Sequence, residues 1–272
     1  MAIITISREF GSTVKEIGQS LAESLGYEYV DRGKIIDDMK ALGKEWGNLG
    51  EEFDERYPNF WERYDWSFRG FVALTQSIIL NYGLKDRRVL VGRGWNSLFK
   101  DVPYALRIRI SMPLEARIEK LMREEDFTRD TAFWLIEKAD KQTTDVVYML
   151  YGKHWDDPAE YDMRLDLGVK KEQEVIEMIK DALVKKEELN TEQAQKVLRI
   201  RAIAAKVKAG IATNRNFLIP TLDVRAAGET IVLRGVIHNP KEKEHIEEAA
   251  KGLAGDIPIE FDLHYRGLLR TK

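Results

Sequence analysis

The sequence contains no cysteine, and this absence removes several kinds of chemistry at once. Without a thiol the chain has no disulfide framework, no thiolate metal site and no cysteine nucleophile. Histidine is scarce too, and the few histidines show no ligand spacing, so we expect no zinc or other metal site in the protein. They are His154, His238, His245 and His264.

A charge excess of one sign and long apolar runs are also missing. Lys+Arg 43 against Asp+Glu 46 gives a net charge of -3 and a pI near 6.0, which offers no argument for nucleic acid or an anionic membrane as partner. No apolar run approaches the roughly 18 residues that span a bilayer, and the opening MAIITISREFG lacks the pattern of an export signal. We therefore expect a soluble, cytoplasmic protein with no nucleic-acid and no membrane partner.

The 272 residues, 44% hydrophobic and 33% charged, have the composition of a globular protein with a buried core. This length suits one large domain and one small one better than a single average domain. The segment 185–192, KKEELNTE, is charged and has no apolar face. We place the boundary there and predict domains at 1–187 and 191–267.

Short apolar runs alternate with amphipathic helical segments before this boundary. The predicted strands lie near 2–6, 27–30, 88–92, 105–110 and 161–167, and helices are predicted at 113–123, 128–151 and 170–185 among others. Arginines alternate with apolar residues in the strand at 105–110. Because a parallel crossover needs a helix to return the chain, the pattern predicts an α/β fold with a doubly wound parallel sheet.

After the boundary the periodicity starts afresh. A helical face from about 191 to 211 precedes a hairpin around Ala227-Gly228-Glu229, a helix at 241–253 and a strand at 257–263. The order α-β-β-α-β predicts a small, separate α+β domain.

The first loop after a strand, Ser7 to Lys15, is the place to look for a ligand, because open α/β sheets bind ligands beyond the carboxyl ends of their strands. Gly11-Ser12 precedes a helix, as a phosphate loop requires. The pattern G-x-x-x-x-G-K-[ST] is not met, since Val14 precedes Lys15. The loop is therefore either a modified phosphate loop or an ordinary turn with Ser12 or Thr13 as the helix N-cap.

Three segments together resemble the cytidylate kinase-like family. ITISREFGSTVKEIGQSLAESLGYEYVDR is similar to the opening of that family, and VLVGRGWNSLFKDVPYALRIRISMPLEARIEKLM resembles its V-G-R-G motif and P-L-E-x-R-I helix. DKQTTDVVYMLYGKHWDDPAEYDMRLDL resembles its D-K-x-R lid and the Gly-x-x-Trp, Asp-Pro and Tyr-Asp pattern beyond the lid. The resemblance covers about residues 3–185. It implies a P-loop kinase of the nucleoside monophosphate type, which transfers the terminal phosphate of ATP, with Mg²⁺, to a small acceptor such as CMP.

The resemblance also implies site residues. It assigns catalytic roles to Lys15, Arg93 and Lys141, and phosphate or nucleotide binding to Arg8, Gly11, Ser12, Thr13, Asp31, Gly92, Gly94 and Lys153. Glycines on both sides of Arg93 would let a ligand approach closely. Each role has a structural alternative: an ion pair for Arg93, a helix cap for Asp31, and a solvated surface for the two lysines at 141 and 153.

Two departures from the family pattern bear on activity. Thr13-Val14 stands where the family has paired glycines, and the bulk and φ preference of Val14 would crowd a phosphate. Thr143 stands where the lid has an arginine that would stabilise transition-state charge, with Arg129 and Lys138 as candidate replacements. Two hypotheses result: an ATP-dependent phosphotransferase, or a catalytically degenerate nucleotide sensor or scaffold.

The remaining features point to packing and to interaction. The aromatic run at 53–71 favours a core or a homodimer contact over base stacking, and Trp155 is expected to anchor the lid. IVLRGVIHNPKEKEHIEEAAKGLAG resembles the BON module. That resemblance implies a regulatory or oligomerising role for the second domain, with a ligand that the sequence does not identify.

Overall fold

The computed structural model describes residues 2–55, 58 and 62–265. Contacts divide the chain into two compact units. The first unit comprises Met1–Lys34 and Lys85–Ala194, and the second comprises Ile35–Leu84 and Gln195–Lys272. The division into domains 1–187 and 191–267 stays a prediction, and the units differ from it in where they place residues 35–84.

The helices of the described residues agree closely with the sequence pattern. They are α1 Val14–Leu25, α2 Arg32–Leu42, α3 Lys44–Glu55, α4 Trp66–Leu84, α5 Leu114–Glu125, α6 Arg129–Tyr151, α7 Glu172–Glu187, α8 Glu192–Ala212 and α9 Pro240–Ala254. Short 3-10 turns lie at Glu62–Tyr64, Trp95–Phe99 and Pro158–Glu160. Thr128 caps α6 as predicted, because its side chain accepts a hydrogen bond from the Thr131 amide.

The first unit contains a parallel five-stranded sheet in the order β2-β3-β1-β4-β5. Its strands are β1 Ile3–Arg8, β2 Glu28–Asp31, β3 Arg88–Val91, β4 Ala105–Ser111 and β5 Met163–Asp166. Flanking helices connect the strands, which confirms the predicted α/β class with a doubly wound parallel sheet.

One apolar core joins the sheet of the first unit to α1 and α7. Ile4 and Ile6 of β1 pack with Ile17 and Leu21 of α1, which recur at the spacing of one helical face. α1 then ends at Gly26, whose left-handed conformation (φ 64) lets its amide bond to carbonyls of the last turn.

The second unit contains a three-stranded sheet in the order β6-β7-β8, from β6 Asp223–Ala227, β7 Thr230–Ile237 and β8 Ile259–Tyr265. β6 and β7 are antiparallel and β7 and β8 are parallel, so the predicted α-β-β-α-β order is confirmed.

Helices α3 and α4 also belong to the second unit. Gly70 of α4 lies against the Ala212 carbonyl, where an added Cβ would be 3.4 Å from the oxygen. The rings of Phe53, Phe68 and Phe71 contact one another, and Phe68 is buried, so these members of the aromatic run pack together. Residues 57, 60 and 61 of that run lie outside the described residues. Among the described helices, none combines the length and hydropathy needed to cross a membrane.

Candidate functional site

The carboxyl ends of three neighbouring strands bring the predicted loops to one edge of the first unit's sheet. Asp31 at the end of β2 pairs in register with Val91 of β3, and Val91 pairs with Ile6 of β1. Arg8 ends β1, and Gly92-Arg93 follows β3 directly. Asp31, Arg93 and the loop after β1 therefore share the edge where ligands bind in open α/β sheets.

The loop from Glu9 to Thr13 turns sharply into α1. Gly11 has a φ of 74°, a conformation that a side chain would strain, and an added Cβ would lie 3.4 Å from Leu121. Ser12 is buried, and its hydroxyl donates to the Glu9 carbonyl at 2.6 Å. Thr13 occupies the N-cap position but its side chain makes no capping bond. Since neither hydroxyl caps the helix, the first amides of α1 remain available to an anion.

Val14 does not crowd this loop, and the expectation that it would is wrong. It is the first residue of α1, with helical backbone, and its side chain is fully buried in the apolar core beside Ile17. A side chain that points into the core adds no bulk on the outer side of the loop. Replacement of a glycine by Val14 is therefore compatible with a phosphate at the α1 N-terminus.

A buried arginine of β4 lies behind the loop. Arg109 Nη2 donates to Glu9 Oε1 at 3.2 Å, and its Nη1 bonds the Trp155 carbonyl at 2.6 Å and Asp156 at 2.8 Å. The guanidinium also stacks 4.1 Å from the centre of the Trp155 ring. Trp155 in turn donates from Nε1 to the Ser7 hydroxyl at 2.8 Å. Trp155 thus anchors the segment after α6 to the end of β1, as predicted.

A second buried arginine, Arg117 of α5, links the loop to α6. Its Nη1 donates to the Phe10 carbonyl at 3.2 Å and to Asp140 at 2.7 Å, and its Nε lies 3.8 Å from Glu9 Oε2. Glu9 Oε2 also accepts a hydrogen bond from the Met112 amide at 2.8 Å. The Glu9 carboxylate is therefore held by two guanidinium groups and a backbone donor.

The position of the expected lid arginine is part of the packing of α6. Thr143 is only 3% exposed, and its hydroxyl donates to a backbone carbonyl one turn earlier in α6. The candidate replacements have partners elsewhere: Arg129 pairs with Glu115 at 2.8 Å, and Lys138 lies 4.7 Å from the centre of the Trp134 ring. The helix continues through this region without a break.

The glycines beside Arg93 have packing reasons of their own. An added Cβ on Gly92 would lie 2.2 Å from the Trp95 ring, and one on Gly94 would lie 2.8 Å from Tyr151 and 2.9 Å from Val147 of α6. Gly94 also has a φ of 72°. Gly94 therefore lets α6 pack closely against the loop after β3, and Gly92 makes room for the Trp95 ring. The Arg93 side chain itself is partly buried.

Asp31 combines a capping role with a polar neighbourhood. Its carboxylate accepts the Lys34 amide at 3.2 Å, which is the helix-capping alternative to a ligand role. Burial raises the pKa of the Tyr29 hydroxyl to about 12, and the Asp31 carboxylate adds to this shift while the Arg8 guanidinium opposes it. Asp31, Tyr29 and Arg8 thus lie close enough for their charges to interact at the sheet edge.

The three candidate lysines lie in different settings. Lys15 in the first turn of α1 and Lys141 on α6 are exposed, and neither has an ion pair within the described part of the chain. Lys153 lies 3.2 Å from the buried Glu160, which Lys100 also contacts at 2.8 Å. Burial alone would raise the pKa of the Glu160 carboxyl, but these two ammonium groups outweigh it and hold that pKa below its usual range.

Sequence reasoning missed the buried charge network of Glu9, Arg109 and Arg117. The signals were present: arginine alternates with apolar residues in the strand at 105–110, and Glu9 and Arg117 lie within the quoted motifs. A buried arginine in a sheet needs a buried carboxylate as its partner. The arginines of this strand therefore indicate that such a carboxylate exists elsewhere in the chain. Arg109 and Glu9 are 100 residues apart in sequence, so no local pattern connects them.

Comparison with known proteins agrees with this geometry. Residues 3–168 match the cytidylate kinase-like family, and residues 201–267 match the BON domain. A cytidylate kinase from Pyrococcus furiosus is 28% identical over 186 residues, covering 66% of this chain and 88% of the relative.

One solved structure shares the fold over about two thirds of the chain. An uncharacterized protein from Eubacterium ventriosum superposes with a TM-score of 0.55 at 19% identity, covering 68% of this chain and 98% of the other. A shikimate kinase from Acinetobacter baumannii in complex with shikimate gives a TM-score of 0.42 at 14% identity, covering 68% and 94%. Since the family match spans more than half of its residues, the chain belongs to the cytidylate kinase-like family.

Proposed function

We propose that the first unit transfers the terminal phosphoryl group of ATP to a nucleoside monophosphate or a similar small acceptor. One observation carries the proposal: the loop from Glu9 to Thr13, Asp31 and Arg93 meet at the ends of three adjacent strands. Phosphoryl transfer is mainly a matter of positioning and charge stabilisation, so a donor loop and an acceptor cation at one edge are its main requirements.

The residues of the loop fit a nucleotide phosphate. The uncapped amides of α1 and the left-handed Gly11 give the anion backbone donors at a helix N-terminus. Ser12 would supply a hydroxyl to Mg²⁺, which neutralises charge on the transferring group and takes most of its ligands from phosphates and water. Lys15, at the start of α1, would add positive charge from the solvent side.

The buried arginines support the loop and do not bind the donor in this arrangement. Arg109 and Arg117 already contact Glu9, Asp140 and Asp156. We assign charge stabilisation to Arg8, Arg93 and Lys141, which the family resemblance places at the site, and the acceptor would lie between Asp31 and Arg93.

The main test uses the full chain with ATP and Mg²⁺. Calorimetric titration with ATP-Mg²⁺ and with CMP, followed by an ADP-release assay across nucleoside monophosphates, should show both binding and turnover. Arg93→Ala should lower kcat/KM by about 10²–10³, as loss of one charge-stabilising donor does, and leave ATP affinity nearly unchanged. Arg123→Ala, which removes an exposed arginine of α5, should change kcat/KM less than about twofold.

A second candidate function, a nucleotide sensor without turnover, is favoured by one observation. Thr143 is buried and bonded within α6 where the family's lid has an arginine. Tight nucleotide binding without ADP release, unaffected by Arg93→Ala, would contradict the kinase proposal and support the sensor.

A further inference from the structure

A cavity opens onto the apolar core of the first unit. Its volume is about 410 Å³, which lies in the range of sites that bind small molecules. Its apolar walls come from β4, β5, α7 and the turn after α7, and they are Leu106, Met163, Met178, Ala182 and Leu189. Leu106 is the second residue of β4 and Met163 the first of β5, so the cavity lies at the amino ends of these parallel strands. The candidate functional site lies at their opposite ends.

Two opposite charges on α7, Asp181 and Lys185, line this cavity and are exposed. They lie four residues apart, with the acid before the base, which is the order that favours pairing on a helix. Neither has a hydrogen bond or an ion pair within the part of the chain that the structure describes. Another acid and base on the same helix do pair, since Lys180 bonds Glu177 at 3.0 Å. The cavity therefore presents one carboxylate and one ammonium that no described group neutralises.

The other charged residues of the cavity have partners. The Asp162 carboxylate accepts hydrogen bonds from the Arg107 amide at 2.8 Å and from Arg107 Nη2 at 3.1 Å, and Lys186 lies 3.2 Å from it. These contacts leave the two unpaired charges of α7 as the groups that can select a ligand. Between them the apolar surface is adaptable, because Met163 and Met178 come from different elements, are partly exposed and have flexible thioether side chains.

We propose that this cavity binds a small apolar zwitterion, namely an α-amino acid with a large apolar side chain. The ammonium of the amino acid would pair with Asp181 and its carboxylate with Lys185, while its side chain would contact the two methionines and Leu106. A ligand with a single charge is a poorer match, because an anion would face Asp181 and a cation would face Lys185. This site is separate from phosphoryl transfer and does not depend on it.

Calorimetric titration of the full chain with L-phenylalanine, L-leucine and L-methionine tests the site. At least one of them should bind with a Kd of about 1 mM or tighter. The N-acetyl and amide derivatives of the tightest binder each lack one charge and should bind about five- to tenfold more weakly. Lys185→Met and Asp181→Asn should each weaken binding of the amino acid by the same factor. Lys180→Met, the same change on α7 outside the cavity, should leave its affinity unchanged. Arg93→Ala should also leave it unchanged, which separates this site from the candidate kinase site.

A local readout shows where the amino acid binds. It should shift the methyl resonances of Met163 and Met178, assigned through Met163→Leu and Met178→Leu, and leave that of Met39 in α2 unchanged.

Three outcomes would overturn the proposal: no binding of any of the three amino acids, equal affinity for the derivatives that lack a charge, or unchanged affinity in Lys185→Met. A fourth outcome is a shift of the Met163 and Met178 resonances with protein concentration alone, in the native chain but not in Lys185→Met. That result would identify a second copy of the chain as the occupant and would also overturn the proposal.

Discussion

The two units bury their cations in opposite ways. In the first unit, Arg109 and Arg117 contact Glu9, Asp156 and Asp140 at hydrogen-bond distances. In the second, Arg69 contacts a carbonyl, and Lys208 has no hydrogen-bond or ion-pair partner among the described residues. A buried cation alone therefore does not mark an anion site, because its acidic neighbours decide whether any charge is left to attract a ligand.

This difference also changes where phosphate should bind in the first unit. The strongest positive groups near the loop are neutralised within the fold, so the donor site depends on the backbone amides of α1 and on cations at its surface. The buried network of Glu9, Arg109 and Arg117 holds the loop in place.

The largest effect should come from breaking the paired network. Glu9→Gln would leave two buried guanidinium groups without their shared carboxylate and should lower the free energy of unfolding of the first unit by about 3 kcal/mol. Urea unfolding of the variant and of the native chain measures this loss of stability. Glu16→Gln removes an exposed carboxylate that pairs with Lys120 and should cost less than about 1 kcal/mol. Equal losses for the two variants would mean that the buried network contributes no more than a surface pair.

Removal of a lysine should have opposite signs in the two units. Lys208→Met should raise the free energy of unfolding by about 1 kcal/mol, because it replaces a partly desolvated ammonium, which has no hydrogen-bond or ion-pair partner among the described residues, with an apolar side chain. Lys120→Met should lower it by about 1 kcal/mol, because that buried lysine bonds Glu16 and Glu124. Urea titrations of both variants measure the contrast, and a loss of stability in Lys208→Met would contradict it.

The smallest expected effect is a dependence of this contrast on pH. Burial, the largest cause, lowers the pKa of Lys208 below its ordinary 10.5. Between the lowered value and 10.5 the unfolded chain binds more protons than the folded one, so stability rises with pH in that window. The difference in free energy of unfolding between Lys208→Met and the native chain should therefore be largest at pH 7 and should shrink as the pH rises toward 10.5. An advantage that stays constant across parallel urea titrations over that range would rule out the titration of Lys208 as its cause.

Local sequence patterns predicted most of the fold because the features that carry them are local. The Thr128 cap, the left-handed Gly26 and the end of α7 at Glu187 before α8 at Glu192 all follow from neighbouring residues. The grouping of residues 35–84 with the C-terminal part of the chain has no such local signal. It depends on contacts such as that of Arg69 with Ile219, which are 150 residues apart.

The candidate site was predictable in its position but not in its charge balance. Strand ends and motifs placed Gly11, Asp31 and Arg93 at one edge, which follows from parallel topology. The effect of Val14 was misjudged because the burial of its side chain depends on how α1 packs against the sheet, which the loop motif alone does not show. The partners of Arg109 and Arg117 come from separate elements, so only the folded chain reveals that their charge is balanced.

The unbroken course of α6 has a consequence for how a substrate would enter. Ala132 and Ile136 pack with Ile118 near one end, and Val147 lies against Gly94 near the other. A continuous helix of 23 residues moves as one rigid element, because it has no hinge in its middle. Any movement of α6 would therefore displace the whole helix, and it would have to break the Arg117–Asp140 ion pair in the middle of the helix as well as the contacts near its two ends.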